Sequence, residues 1–187
     1  MSRWQPDARG RLQLAAMELY VEHGFEQTTV ADIAERAGLT ERTFFRHFTD
    51  KREVLFFGQD KFQDLFVSTV LQAPEGASPL ATITAALHAA ALDFEPRRRW
   101  SQERQRVINS SPGLQERELI KLAGLSAAIA LSLRERGVGE PTASLTAQSC
   151  TAVFQIAFQQ WIAPENVRTL SQVVSEALDA LKAVTAG

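Results

Sequence analysis

The feature that most constrains this chain lies between Thr29 and Phe48, where two helix starts follow each other closely with a glycine between them. Thr29 stands where a hydroxyl accepts from the backbone N–H groups of a new helix. Asp32, three residues on, is placed to answer it in a capping box. Val30, Ile33, Ala34 and Ala37 form the inner face of that helix, and Gly38 ends it after barely two turns. Thr40 then caps a third helix running to about Phe48, with Glu41 in its first turn, where the helix dipole favours an acid. Two short helices joined by a tight turn at Ala37-Gly38-Leu39 form a helix-turn-helix pattern.

The third helix has two chemically distinct sides. At 100° per residue, Phe44 and Phe48 share one side and Arg42 and Arg46 share the other, with Thr43 and Phe45 flanking them. Two arginines at i, i+4 suit a DNA major groove, because a guanidinium grips guanine O6 and N7 with two bonds. The plainer reading is a solvated helix face.

Elsewhere the periodicity is helical throughout. Residues 7–23 carry a stripe of Leu12, Ala15, Ala16, Leu19, Tyr20 and His23, and Gly24 follows it. A fourth helix is expected from residue 50 or 51 to about 70, and the Pro/Gly-rich stretch 73–79 is the clearest loop. A fifth helix follows with Leu80, Ile83, Leu87, Ala91 and Phe94. A sixth covers about 97–109, a seventh opens at Ser111-Pro112 and closes at Gly137, an eighth covers about 142–161, and Pro164 opens a ninth. The expected fold class is therefore all-α, with about nine helices. Ser2, Arg3 and Trp4 precede the first helix, and either a minor-groove arm or an unordered end fits them.

Charge gives this reading no help. The formal net charge is -2, and in the first sixty residues acids outnumber bases, so any DNA argument rests on where charges sit. His23, His47, His88 and Cys150 lack metal-ligand spacing. No nucleophile motif or phosphate loop is present, so no catalytic residues, metal or cofactor are expected, and the chain does not read as an enzyme. The single cysteine excludes an intrachain disulfide, no signal peptide is read, and no apolar run approaches the roughly 20 residues that span a bilayer. A cytoplasmic location without membrane contact is expected.

The run from Gly24 through Thr28-Thr29-Val30-Ala31-Asp32-Ile33-Ala34, Ala37-Gly38-Leu39-Thr40 and Thr43-Phe44-Phe45-Arg46-His47-Phe48, continued by Lys51 and Leu55, resembles the tetracycline-repressor (TetR) family. The resemblance covers roughly residues 8–56. It implies a helix-turn-helix DNA-binding domain over residues 1–56 and a regulatory, ligand-binding and dimerisation domain over 57–187. It also implies a homodimeric regulator of double-stranded operator DNA, a repressor released from a palindrome by a small hydrophobic effector. The expected DNA-binding residues are Thr28, Thr29, Thr40, Glu41, Arg42, Thr43, Phe45, Arg46, His47 and Lys51. Of these, Thr28 and Thr29 sit at a helix N-terminus suited to a phosphate, and His47 and Lys51 match family positions that meet the backbone. Phe45 departs from the pattern, because the family's usual tyrosine hydroxyl is missing there.

Apolar repeats in the last two helices imply a four-helix dimer interface, with Phe154, Phe158, Trp161, Val167, Leu170, Val174, Leu178 and Leu181 as its residues. The alternative is that these stripes face their own core. Effector-pocket candidates are Phe62, Phe66, His88, Leu92, Trp100, Arg104, Leu122, Phe154 and Phe158. Plain core is the competing reading for each aromatic residue, and His88 and Arg104 would need partners if buried. The run Arg97-Arg98-Arg99-Trp100-Ser101-Gln102-Glu103-Arg104 resembles the regulatory domain of a mycofactocin-regulator-like actinobacterial subgroup, which implies an acyl-CoA ester as effector. A solvated helix start is the plainer reading of its arginines. A second function fits the same front: a DNA-bound interaction protein without a small-molecule effector.

Overall fold

The computed structural model describes residues 7–185, so the expected arm at Ser2, Arg3 and Trp4 lies outside the described residues. Nine α-helices and one 3-10 turn, with no strand, make up the described structure: α1 (Ala8–His23), α2 (Val30–Arg36), α3 (Glu41–His47), α4 (Gln59–Leu71), α5 (Pro79–Phe94), the turn Glu95–Arg97, α6 (Arg98–Asn109), α7 (Pro112–Glu135), α8 (Thr142–Ile162) and α9 (Leu170–Thr185). The all-α class expected from the periodicity is the observed one.

Two helix starts differ from the sequence reading. Residues 51–58 form tight turns, with Leu55 and Phe56 each donating three residues back to Arg52 and Glu53. The positive φ of Gly58 (89°) then separates these turns from α4. The ninth helix begins at Leu170, not at Pro164. Thr169 and Gln172 cap it reciprocally, the Thr169 N–H donating to Gln172 Oε1 (2.9 Å) and the Gln172 N–H to Thr169 Oγ1 (3.2 Å). That pair satisfies two of the N–H groups that a helix start leaves open.

The chain folds as two compact units. The first takes the chain up to Gly58 together with Glu103–Glu118, and the second takes Gln59–Gln102 and the residues from Leu119 onward. Residues 103–118, which the sequence assigns to the C-terminal part, thus belong to the front unit. The cause is a set of side-chain bonds between segments far apart in sequence. Arg104 Nε donates to the Leu55 carbonyl (2.8 Å), and its guanidinium lies 5.1 Å from the Phe56 ring centre. Arg117 Nε donates to Glu53 (2.8 Å), and Ser111 Oγ donates to Glu26 (3.0 Å). Ile108 and Leu114, both fully buried, fill the space between these anchors.

In the front unit, α1 turns Leu12, Ala15, Ala16, Leu19 and Tyr20 inward, and Ile33 of α2 and Phe44 of α3 are fully buried. In the second unit α5 packs on α4, α8 and α9. Its core holds an aromatic cluster of Phe62, Phe66, Phe94, Phe154, Phe158 and Trp161. Neighbouring ring centres there lie 5.0 Å (Phe62–Phe66, Phe62–Phe154) to 6.2 Å (Phe66–Phe154) apart.

Candidate nucleic-acid interface

Helix α2 starts as the sequence pattern requires. Thr29 Oγ1 accepts from the Asp32 N–H (3.1 Å), and Asp32 accepts from the Thr29 N–H (2.8 Å) and hydroxyl (2.7 Å). Such a cap stabilises a helix by about 1 kcal/mol. It also draws the Asp32 carboxyl below its ordinary range, through the Thr29 hydroxyl first and the Thr29 backbone N–H second. The turn to α3 is a Schellman close: Gly38 N–H reaches Glu35 O (2.9 Å) and Leu39 N–H reaches Ala34 O (2.8 Å). The backbone conformation of Gly38 calls for glycine. Its φ is +64°, and a Cβ there would lie 2.9 Å from Arg11 Nη2. That guanidinium donates to the carbonyls of Ala37 and Gly38, so α1 clamps the turn directly.

Helix α3 is capped by Thr40, whose hydroxyl accepts from the Thr43 N–H (3.2 Å). Phe44 is fully buried and Phe48 nearly so, and their rings lie 5.5 Å apart. The other side faces solvent: Thr40, Glu41, Arg42 and Arg46 are exposed, Phe45 is 56% exposed and Thr43 is half-buried.

The described cations of the first 58 residues differ in use. Arg11 clamps the turn. Arg9 reaches the His47 carbonyl, with its guanidinium 4.5 Å from the Phe57 ring centre. Arg36 pairs with Glu22 (2.8 Å) and Glu18 (3.4 Å), and Arg52 with Asp50 (2.8 Å). Arg42 and Arg46 form no hydrogen bond or ion pair among the described residues. Glu18, Glu22, Asp50 and Glu53 are paired with arginines within the chain, whereas Arg42 and Arg46 keep their positive charge open on the outer side of α3.

Three expected DNA-binding residues are placed differently. Thr28 is 2% exposed, and its hydroxyl donates inward to the Gly24 carbonyl (2.9 Å), so it is a structural residue. Lys51 gives its ammonium to the carbonyls of Phe25 (2.8 Å), Glu26 (3.3 Å) and Thr28 (2.9 Å). An ammonium has three N–H donors, and all three are committed, so Lys51 ties down the segment before α2. His47 is half-buried, and its Nε2 is shielded from solvent without a partner, where the sequence leads one to expect an exposed donor. At Thr29 the hydroxyl is exposed but already bonded to Asp32, whose carboxylate occupies the helix N-terminus.

The expected effector residues do not form one constellation. Phe62, Phe66, Phe154 and Phe158 meet in the aromatic cluster of the second unit. His88 is half-buried, with Nδ1 3.2 Å from Ser171 Oγ of α9. Trp100 is half-buried. Leu92 is 71% exposed and points away from the core, because the buried stripe of α5 runs through Leu87, Ala90 and Ala91. Leu122 lines a groove on the outer side of α7 and α8. Arg104 belongs to the front unit, where burial pushes its guanidinium below its usual pKa and Glu118, 3.1 Å away, opposes that shift.

The expected dimer residues lie mostly inside the single chain. Phe154, Phe158, Trp161, Leu170, Val174 and Leu178 are at most 7% exposed within the single chain, and Leu181 is half-buried. They face their own core. Val167 is 93% exposed but stands in the connection between α8 and α9. Helix α8 is apolar on more than one side, so its periodicity does not tell the inner stripe from the outer one.

A capped pair of short helices, a clamped turn and a solvent-facing arginine side define the class of helix-turn-helix nucleic-acid-binding proteins. The family of bacterial regulatory proteins of the TetR type matches residues 14–56, and the MftR C-terminal domain family matches residues 77–186. The putative mycofactocin biosynthesis transcriptional regulator MftR of Mycobacterium tuberculosis is 30% identical over 90% of this chain and 86% of its own length. The HTH-type transcriptional regulator TcmR of Streptomyces glaucescens is 37% identical over 81 residues, which are 43% of this chain but only 36% of TcmR. Among solved structures, a TetR-family transcriptional regulator from Syntrophomonas wolfei superposes with a TM-score of 0.71 at 18% identity, covering 96% of this chain and 95% of that one. The SmeT–triclosan complex superposes with a TM-score of 0.66 at 18% identity, covering 95% and 90%. The chain belongs to the TetR family of bacterial transcriptional regulators and carries an MftR-type C-terminal domain.

Proposed function

We propose that this chain is an operator-binding repressor that reads a palindrome with α3 of two copies and is released by a small hydrophobic effector held in its second unit. The observation that carries the reading is the pair Arg42 and Arg46. Both are exposed and unpaired on the side of α3 opposite Phe44, while Arg9, Arg11, Arg36, Lys51 and Arg52 are engaged within the chain. An arginine whose donors are free breaks no internal bond when it meets a guanine edge or a phosphate. Thr40, Glu41, Thr43 and Phe45 share that side and complete the reading surface, with Phe45 offering apolar contact to a thymine methyl or sugar. Thr29, with its hydroxyl exposed, stands at the edge of this surface.

Regulators of this family bind operator DNA, dimerise and bind small-molecule effectors. The SmeT–triclosan complex supports an apolar effector, as it is a small hydrophobic molecule bound by a protein of this fold. The arginine run behind the acyl-CoA reading is engaged internally at two positions. Arg97 pairs with Asp93, and Arg98 donates to the carbonyls of Ala163 and Asn166. The effector proposed is therefore defined by its apolar character alone. Release follows if the effector binds better to a conformation that cannot hold both half-sites.

Titration of the protein onto DNA from its own promoter, by fluorescence anisotropy at several salt concentrations, tests this reading. The expected result is tight binding to a fragment with two symmetric half-sites, weaker binding to one, and a steep loss with salt. Binding that ignores both symmetry and salt refutes it.

A further inference from the structure

A buried donor without an acceptor is costly, and native folds hold few of them. Among the described residues of the second unit three side-chain atoms are in that state: Arg98 Nε, Ser101 Oγ and Trp161 Nε1. All three belong to one junction. Arg98 and Ser101 stand a turn apart on one face of α6, and Trp161 is in the last turn of α8. The two helices are tied together on either side of Ser101. Arg98 Nη2 donates to the carbonyls of Ala163 (3.1 Å) and Asn166, and Gln102 Nε2 donates to that of Ile162 (2.9 Å). Ser101 is 1% and Trp161 0% exposed, so neither reaches bulk water. Arg98 has no ion pair among the described residues. The acids just before it are turned elsewhere, Asp93 to Arg97 and Glu95 to the Leu170 N–H (2.8 Å). The junction adjoins the aromatic cluster: the Trp161 ring centre lies 5.8 Å from that of Phe158, which lies 5.6 Å from that of Phe94. Phe94 and Phe62 are half-buried, so the cluster is not sealed at that edge.

We infer that this junction is the polar end of the effector site, and that the effector is an apolar molecule bearing a carboxylate. The unpartnered groups are donors, and the indole and guanidinium N–H can be nothing else. The ligand group that accepts only, and accepts several bonds at once, is a carboxylate, with about four lone-pair sites on its two oxygens. The Arg98 charge lacks a counter-ion in the chain, which favours an anion over a neutral carbonyl. The apolar body then lies along Phe158, Phe94 and Phe62, whose rings carry no polar atom. Water in the same place serves the junction less well. It must find acceptors for its own hydrogens, and the neighbouring carbonyls of Ile162 and Ala163 already accept from Gln102 and Arg98. The Arg98 bonds to those carbonyls engage Nη2 and leave Nε for the ligand.

This deepens the effector part of the function proposed above and rests on it. The test is calorimetric titration of the full chain, without DNA, with decanoate, 4-phenylbutanoate and methyl decanoate. At least one of the two carboxylates is expected to bind once per chain. Methyl decanoate is expected to bind at least about tenfold more weakly than decanoate, the worth of one hydrogen bond to a charged group. Ser101→Ala and Trp161→Phe each remove one donor, and each is expected to weaken the bound carboxylate about tenfold. Ser101→Ala leaves the melting temperature of the free protein equal or higher, because the lost hydroxyl bonds to nothing there. A merely structural serine gives the reverse, a lower melting temperature with unchanged affinity. Binding of neither carboxylate at millimolar concentration, equal affinity for acid and ester, or unchanged affinity in Ser101→Ala and in a Trp161→Phe protein folded by circular dichroism each overturns the inference. Failure here is separable from failure of the operator reading, which is measured on the free protein with no probe present. A carboxylate that binds through these residues but leaves operator affinity unchanged supports the site and counts only against release.

Discussion

Replacing Arg42, Arg46, Arg36 and Lys51 one at a time separates cations that are free to meet DNA from cations the fold has already used. The relevant measure is the slope of log affinity against log salt on one operator fragment, because each neutralised phosphate contributes about 0.9 to that slope. Arg42 and Arg46 are exposed and unpaired, so alanine there removes only the interaction with DNA. If the arginine meets a phosphate, its removal from both copies flattens the slope by roughly 2. If it grips a base with two bonds, its removal costs about 1–3 kcal/mol per half-site and relaxes discrimination at one base position. Arg36→Ala leaves the slope unchanged, since its guanidinium is held by Glu22 and Glu18. Lys51→Gln also spares the slope but destabilises the protein by about 1.5–3 kcal/mol, the range for a hydrogen bond to a charged group, which urea unfolding reads separately. Variants at Arg36 or Lys51 that flatten the slope as much as those at Arg42 or Arg46 refute the assignment of the free charges.

Three further outcomes follow from the geometry. Gly38→Ala destabilises the protein by about 1–2 kcal/mol in urea unfolding, since a left-handed residue with a Cβ is strained and this Cβ meets the Arg11 guanidinium. Glu118→Ala costs about 3 kcal/mol by leaving Arg104 desolvated and unpaired, whereas the double variant Arg104→Met/Glu118→Leu costs less than that single change. Acid weakens the fold modestly through its depressed, exposed carboxyls. Asp32 (held by Thr29), Glu22 (by Arg36) and Glu140 (by Arg134 first, then Ser144) all lie below their ordinary values in the folded state. Their stabilisation is complete above about pH 4, the unfolded range, and is lost as pH falls through the folded values, so melting temperatures measured from pH 6 down to pH 2 should decline from about pH 4.

What the sequence discloses and what it hides divide along the range of the interactions. The capping box at Thr29, the Schellman close at Gly38 and the opposed sides of α3 are all set within four or five residues, and each is readable from spacing. Lys51 escapes such a reading because its three acceptors lie more than twenty residues earlier and are backbone carbonyls, which carry no sequence signal. Arg104 escapes it in part for the same reason, since one partner is the distant Leu55 carbonyl, while the other, Glu118, lies on the next helix. Helix α8 hides its orientation differently: Phe154, Phe158 and Trp161 form one apolar stripe, Leu145, Ala152 and Ile156 another, and only packing selects between them.

The front unit's dependence on residues 103–118 bears on how the chain is made. Val54, Leu55 and Phe56 end the first stretch of that unit, buried at 0–4% exposure, yet part of the cover of Leu55 and Phe56 arrives only with Arg104. Sixty residues separate Gly58 from Glu118, which takes about 3–12 s at ordinary rates of synthesis. For that interval the nascent chain holds a helix-turn-helix whose last turn is uncovered. Its completion waits on the ribosome, and a ribosome stalled before α6 releases a reading head without its support.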